Sequence, residues 1–258
     1  MSTEVKTMAE LASEGKEPEV LFWVGCAGSY DARAQKVSKA FTKLLNKAGV
    51  SFAILGNEES CCGDPARRAG NEFVFQMLAL QNIEVLNGYN IKKIVTTCPH
   101  GFNTLKNEYP ALGGNFEVYH HTQFLDMLIK EGKLDISEMN SEVRLTYHDS
   151  CYLGRINGEF DAPRNLLKSA KFDIVELEKN KESAMCCGAG GAQMFKEEES
   201  GNTRVNNERA KQAIDTNTKI IAANCPFCIT MLEDGLKNFE KEDEIKVKDI
   251  AEILAEGL

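Results

Sequence analysis

Short apolar runs alternate with longer amphipathic stretches along this chain, and they do so twice. Glu19 to Val24 is a compact apolar run rich in strand formers, ending at Gly25-Cys26. Ala32 to Lys47 follows with Val37, Phe41, Leu44 and Leu45 at helical spacing, closed by Gly49. Val50 to Leu55 reads as a strand. Phe73, Met77, Leu80 and Ile83 then share one predicted helical face, and Ile91 to Thr96 is the next strand. The second half gives the same order. Strands are predicted over Val143–Tyr147, Phe172–Leu177 and Ile220–Ala223, and helices over Pro163–Ala170, Arg204–Ile214 and Val247–Leu254. Such alternation predicts an α/β fold. We expect two tandem pseudo-symmetric domains, each a small, mostly parallel sheet flanked by helices. The expected boundaries are a polar leader over 1–17, with one short helix over Met8–Ala12, then domains over 18–133 and 142–258. Leu134 to Asn140, polar and without a clear period, reads as the linker.

The cysteines share this duplication. Cys26 and Cys151, Cys61 and Cys186, and Cys62 and Cys187 are each separated by 125 positions, and Cys98 and Cys225 by 127. All nine cysteines fall into the register, the ninth being Cys228. Each copy carries a Cys-Cys-Gly run, and each ends a predicted strand at Cys-Pro. Shifted back by 127, Cys228 meets Gly101, so the second copy offers five thiols and the first four. Sites in parallel sheets gather beyond the carboxyl ends of the strands. The cysteines of each copy are therefore expected to converge. Thiolates are soft ligands that select zinc, copper(I) or iron–sulfur clusters. Four thiolates in the first copy suit a tetrahedral zinc site equally well, whereas in the second copy zinc would leave a fifth thiolate idle. Cys225-Pro226-Phe227-Cys228 also fits a dithiol redox motif, and Gly188-Ala189-Gly190-Gly191 fits a phosphate cradle. The glycines after Cys187 permit positive φ and bring backbone N–H groups toward sulfur.

Composition narrows the field. Net charge is −9, which disfavours nucleic acid, and no apolar run approaches a membrane span. Hydrophobic residues at 43% and charged residues at 27% suit packed domains without a secretion signal. A cytoplasmic location is expected, where clustered thiols serve metals or redox chemistry more often than disulfides. There is no Ser/His/Asp triad, P-loop or paired-carboxylate signature, and no catalytic residue is assigned. His100 is a candidate substitute ligand at the four-thiol site, with hydrogen bonding as its alternative. His120-His121 is expected to cap a helix, and His148 to pack or hydrogen-bond locally. Arg67, Arg68 and Arg155 are candidates to offset cluster charge or steer an anion, with ordinary surface pairing as the alternative. Glu197-Glu198-Glu199 reads as a solvated helix start.

Cys151 … Cys186-Cys187-Gly188 … Cys225-x-x-Cys228 resembles the cysteine-rich CCG domain. That domain is duplicated in heterodisulfide reductase and in iron–sulfur subunits of glycolate, lactate and anaerobic glycerol-3-phosphate oxidation systems. The resemblance is closest to the C-terminal half of electron-transfer-flavoprotein-associated iron–sulfur oxidoreductases. It is carried by Leu21–Cys26, Gly63–Arg68, Asn107–Pro110, His148–Arg155 and Cys225–Cys228. It implies a [4Fe-4S] cluster, of the noncubane type, on Cys151, Cys186, Cys187, Cys225 and Cys228. Cys26, Cys61, Cys62 and Cys98 would hold zinc or a second iron–sulfur cluster, with Gly101 standing where the family pattern has its fifth cysteine. The function implied is a redox subunit passing electrons within an oxidoreductase complex. The alternatives are a catalytic heterodisulfide-type reductase subunit and a zinc-stabilised scaffold. The chain lacks the Cys-x2-Cys-x2-Cys-x3-Cys-Pro run of a ferredoxin segment. A separate ferredoxin-like or flavoprotein subunit is therefore the expected partner, and the complex could be peripheral to a membrane through it.

Overall fold

A computed structural model describes residues 5–136, 139, 143–197 and 200–258. The chain divides into two compact units, 1–134 and 135–258. In the first, α1 (Met8–Ser13) precedes β1 (Val20–Trp23), α2 (Gly25–Tyr30), α3 (Ala32–Lys47), β2 (Phe52–Ala53), α4 (Asp64–Arg68), α5 (Glu72–Gly88), β3 (Lys93–Thr96), α6 (Pro99–Asn103), β4 (Glu117–His120) and α7 (His121–Lys130). In the second come β5 (Arg144–Tyr147), α8 (Asp161–Ser169), β6 (Asp173–Glu176), α9 (Val205–Ile214), β7 (Ile220–Ala223), α10 (Pro226–Lys237), β8 (Lys246–Asp249) and α11 (Ile250–Glu256).

Each unit holds one four-stranded, all-parallel sheet, ordered β2-β1-β3-β4 and β6-β5-β7-β8. The α/β architecture with two similar tandem halves is as the alternation predicts. Both faces of a parallel sheet are covered by helices, so its inner strands are apolar throughout. Accordingly all four residues of β1 are buried, and Ile221, Ala222 and Ala223 of β7 are 0% exposed. In each sheet the order reverses between the first strand and the third, β1 beside β3 and β5 beside β7. Ligand sites form at such a switch point, beyond the strand ends.

Several elements differ from the expectation. β2 keeps only two residues, pairing Phe52 with Val20 and Ala53 with Leu21. The next backbone groups turn to the N-terminal segment, where Ile54 N–H donates to the Lys6 carbonyl at 3.1 Å and Met8 N–H to the Ile54 carbonyl at 2.8 Å. The short helix of the leader is thus present as α1, with Met8 and Leu11 buried. The terminal helix begins later than expected. Lys246–Asp249 instead pairs as β8 with β7, and Asp249 then caps α11 in a capping box with Glu252. On α5 the stripe Phe73, Met77, Leu80 faces solvent at 76, 53 and 52% exposure, while Phe75, Ala79, Asn82, Ile83 and Leu86 are buried. Within the expected linker, Leu134, Ile136 and Met139 are buried. Ser137, Glu138 and Asn140 lie outside the described residues, as do Glu198 and Glu199 of the expected acidic helix start.

Candidate metal centre

The second unit delivers five thiols to one place. Cys151 lies in the turn directly after the central strand β5, Cys186 and Cys187 in the loop after β6, and Cys225 caps α10 at the end of β7, with Cys228 in that helix's first turn. Pro226 occupies the first helical position, where its missing N–H costs nothing. The sulfurs form a connected chain at hydrogen-bonding reach, from Cys151 to Cys186, Cys187, Cys228 and Cys225. Cys187, Cys225 and Cys228 are buried, and Cys151 and Cys186 half-buried. Hydrogen bonds from Cys151 and Cys187, then from the N–H groups of Gly188 and Gly190, hold Cys186 far below the usual thiol range.

The glycine of each Cys-Cys-Gly run has a double reason. Gly63 and Gly188 stand at φ 90° and 98°, the left-handed region that penalises a side chain. In that conformation their N–H groups turn back to sulfur, Gly63 to Cys61 at 3.5 Å and Gly188 to Cys186 at 3.3 Å. A Cβ on Gly63 would also meet the Phe75 ring at 2.8 Å.

In the first unit Cys26 lies in the first turn of α2, Cys61 and Cys62 precede α4, and Cys98 caps α6 at the end of β3. Cys26, Cys61 and Cys62 are in sulfur contact, and hydrogen bonds from Cys26 and Cys62 take Cys61 down to about 3. Gly101 is buried in α6, where an added Cβ would lie 3.7 Å from Thr96 Oγ1 and 3.9 Å from Cys98 Cβ, an ordinary contact distance.

Polar groups around this first site follow a plan different from the second. His100 Nδ1 is bonded to Asp64 Oδ2 at 2.9 Å, and Asp64 Oδ1 accepts from Arg68 Nε at 3.0 Å. Arg67 and Arg68 both pair with Glu108, and the Arg67 guanidinium lies over the Phe75 ring. These arginines are therefore bound up in ion pairs of their own, while Arg155 is exposed. His120 caps α7 in a capping box with Gln123, as expected for the His120-His121 pair. Glu59, which sequence reading passed over, accepts from the Val24 and Gly25 N–H groups at 3.0 and 2.6 Å. Burial pushes its carboxyl up to about 7. Its position two residues before Cys61 was the available signal.

His148 does not bond locally. Its Nδ1 accepts from Arg209 Nε at 3.0 Å, 61 residues away on α9. A ring nitrogen of His148 and the sulfurs of Cys187 and Cys228 lie within 4.8 Å of one another. His148 Nε2 and Arg209 Nη2 are buried without a hydrogen-bond partner. Five linked sulfurs beside two orphaned donors suit an anionic, sulfur-rich group, so the residues present fit an iron–sulfur cluster.

Residues 20–106 and 145–233 match the family model described as cysteine-rich domain, CCG. The chain belongs to the CCG family. Its two matches correspond to the two units. Over 257 residues it is 52% identical to "EtfAB:quinone oxidoreductase" of Syntrophomonas wolfei subsp. wolfei, covering 97% of this chain and 36% of that protein. It is 52% identical over 256 residues to "Probable iron-sulfur-binding oxidoreductase FadF" of Bacillus subtilis (strain 168), covering 99% of this chain and 36% of that protein. It is 38% identical over 249 residues to a "Dihydromethanophenazine:CoB--CoM heterodisulfide reductase" subunit of Methanosarcina barkeri, covering 93% of this chain and 59% of that protein. This CCG chain thus spans little more than a third of the first two relatives. Among the described residues, no helix is long and apolar enough to cross a membrane.

Proposed function

We propose that this chain is the CCG part of an iron–sulfur oxidoreductase and passes electrons within a redox complex. The observation that carries the reading is the convergence of Cys151, Cys186, Cys187, Cys225 and Cys228 from three strand ends into one half-buried pocket. The names of the relatives, two oxidoreductases and a heterodisulfide reductase subunit, support the same class. The five cysteines would hold a [4Fe-4S] cluster of noncubane type. Cys26, Cys61, Cys62 and Cys98 would hold zinc or a second cluster. A bound cluster supplies one-electron chemistry at a potential set by its surroundings. The chain's own residues supply thiolates, and Gly188 N–H donates to one of them at 3.3 Å. The loops bury three of the five sulfurs from water, which limits loss of the group. The electron partner is a ferredoxin-like or flavoprotein unit, and any membrane association runs through that partner.

The test is the iron, acid-labile sulfide and zinc content per chain after strictly anaerobic purification, with EPR spectra of the same sample. About four irons and four sulfides, with a redox-active signal, support the reading. Zinc without sulfide sinks it and leaves a metal-stabilised scaffold.

A further inference from the structure

The second unit buries a charged side chain that none of its thiols ligates. Arg209 on α9 is 0% exposed, and His148, directly after β5, is 1% exposed. Arg209 Nη1 donates to the Lys179 carbonyl at 2.9 Å and to Gln212 Oε1 at 2.8 Å. Those anchors fix its Nε–H on His148 Nδ1 at 3.0 Å. A guanidinium has donors only, so Nδ1 must accept. Burial, reinforced by Arg209, pushes the imidazole down to about 3 and keeps the ring neutral. A neutral ring that accepts at Nδ1 carries its proton on Nε2. That Nε2–H has no partner, and neither does Arg209 Nη2. A buried unsatisfied donor costs about 1–3 kcal/mol, so two together call for an acceptor. The nearest acceptors are sulfurs, since a ring nitrogen of His148 and the sulfurs of Cys187 and Cys228 fall within 4.8 Å of one another.

We propose that His148, held in one tautomer by Arg209, donates Nε2–H to sulfur of the group on the five cysteines and raises its reduction potential. Arg209 acts as the positioning residue. The inference rests on the reading that these cysteines hold an iron–sulfur cluster. Ligation by His148 is disfavoured by the same geometry. With Nδ1 accepting from Arg209, a metal on Nε2 would require an imidazolate in a buried pocket already crowded with thiolates. A hydrogen bond to sulfur, with a buried guanidinium behind it, stabilises the more negative reduced state and so raises the potential. The first site lacks the device. Trp23 stands 125 positions before His148, and an indole has no acceptor for an orienting guanidinium.

The experiment is an EPR-monitored redox titration of the parent, His148→Phe, His148→Gln and Arg209→Met, with iron and sulfide counted on each sample. In His148→Phe with its iron retained, the reduction equilibrium should shift about tenfold toward the oxidised form, about 59 mV for a one-electron couple. His148→Gln, which keeps an N–H donor, should recover most of the shift, and Arg209→Met should move the potential the same way. An unchanged potential in a loaded His148→Phe overturns the proposal. Pulsed EPR on unmutated protein carrying 15N only in histidine covers the case of a variant that fails to fold. A weak coupling supports a donor, whereas a ligand-strength coupling or none overturns it. Parent protein without iron and sulfide would sink the iron–sulfur reading and this inference together. A loaded parent with an indifferent His148→Phe sinks the inference alone.

Discussion

Gly101 shows how much one side chain decides. A Cβ there meets Thr96 Oγ1 and Cys98 Cβ only at 3.7 and 3.9 Å, so sterics do not account for the missing fifth thiol. Gly101→Cys should fold with stability at or above the parent's, because glycine within a helix costs about 0.5–1 kcal/mol. Its iron and sulfide per chain, counted after anaerobic loading, should rise above the parent's as the first site gains a fifth thiolate. Unchanged content would mean that the neighbouring charges, not the absent sulfur, set the metal of that site. His100 makes the complementary case. Its bond to Asp64 explains its burial without ligation. His100→Ala should cost about 1–3 kcal/mol in denaturant unfolding for the lost buried partner while metal content stays at the parent's level. Loss of metal would make His100 a ligand instead.

At the scale of elements, the second site is held in place by one buried ion-pair knot. Arg164 on α8 reaches Asp149 through two bonds of 2.8 and 2.9 Å and Glu176 of β6 through bonds of 2.6 and 2.8 Å. Asp149 also accepts from Lys181 N–H at 2.9 Å. One guanidinium therefore ties the turn bearing Cys151 to β6 and to the loop that leads to Cys186. Arg164→Met leaves Asp149 buried and uncompensated, and should destabilise the second unit by about 3–5 kcal/mol. Urea titration followed by hydrogen exchange should show the loss in the second unit and not in the first. Helix α5 offers a contrast between its two apolar stripes. Phe75→Ala removes a ring that packs on Gly63 and under Arg67, and should cost about 3–5 kcal/mol. Phe73→Ala, on the solvent side, should stay within about 0.5 kcal/mol of the parent in the same assay.

Across the whole molecule the duplication is one of fold and thiols, not of electrostatics. Where the first unit places Glu59 and Asp64 near its cysteines, the same register in the second gives Ala184 and Ala189. Where the second places His148, the first has Trp23. One site is edged with carboxyls and the other with a buried guanidinium and an imidazole. The two are therefore expected to hold their metals independently and at different potentials. A Cys186→Ser/Cys187→Ser variant should lose the metal of the second site while the first keeps its own, as read by elemental analysis of anaerobically purified protein. Loss from both would show that the first site depends on the second for loading.

The sequence alone carried the duplicated cysteine register, the alternation of strands and helices, and hence an α/β fold with thiols at three strand ends of each half. These are local or periodic signals, and burial of both sheet faces enforces them. Sequence did not decide which stripe of α5 faces inward, because Phe73-Val74-Phe75 and Met77-Leu78-Ala79-Leu80 are apolar on more than one side. Nor did it show that Val247 starts in a strand, since a two-to-one choice between periods over so short a run is settled by the edge of β7. The pairing of Arg209 with His148 spans 61 residues and joins α9 to the end of β5. Nothing local in either segment announces it. Only the packing of the helix over the sheet brings a guanidinium to one nitrogen of the ring and leaves the other directed at the thiols.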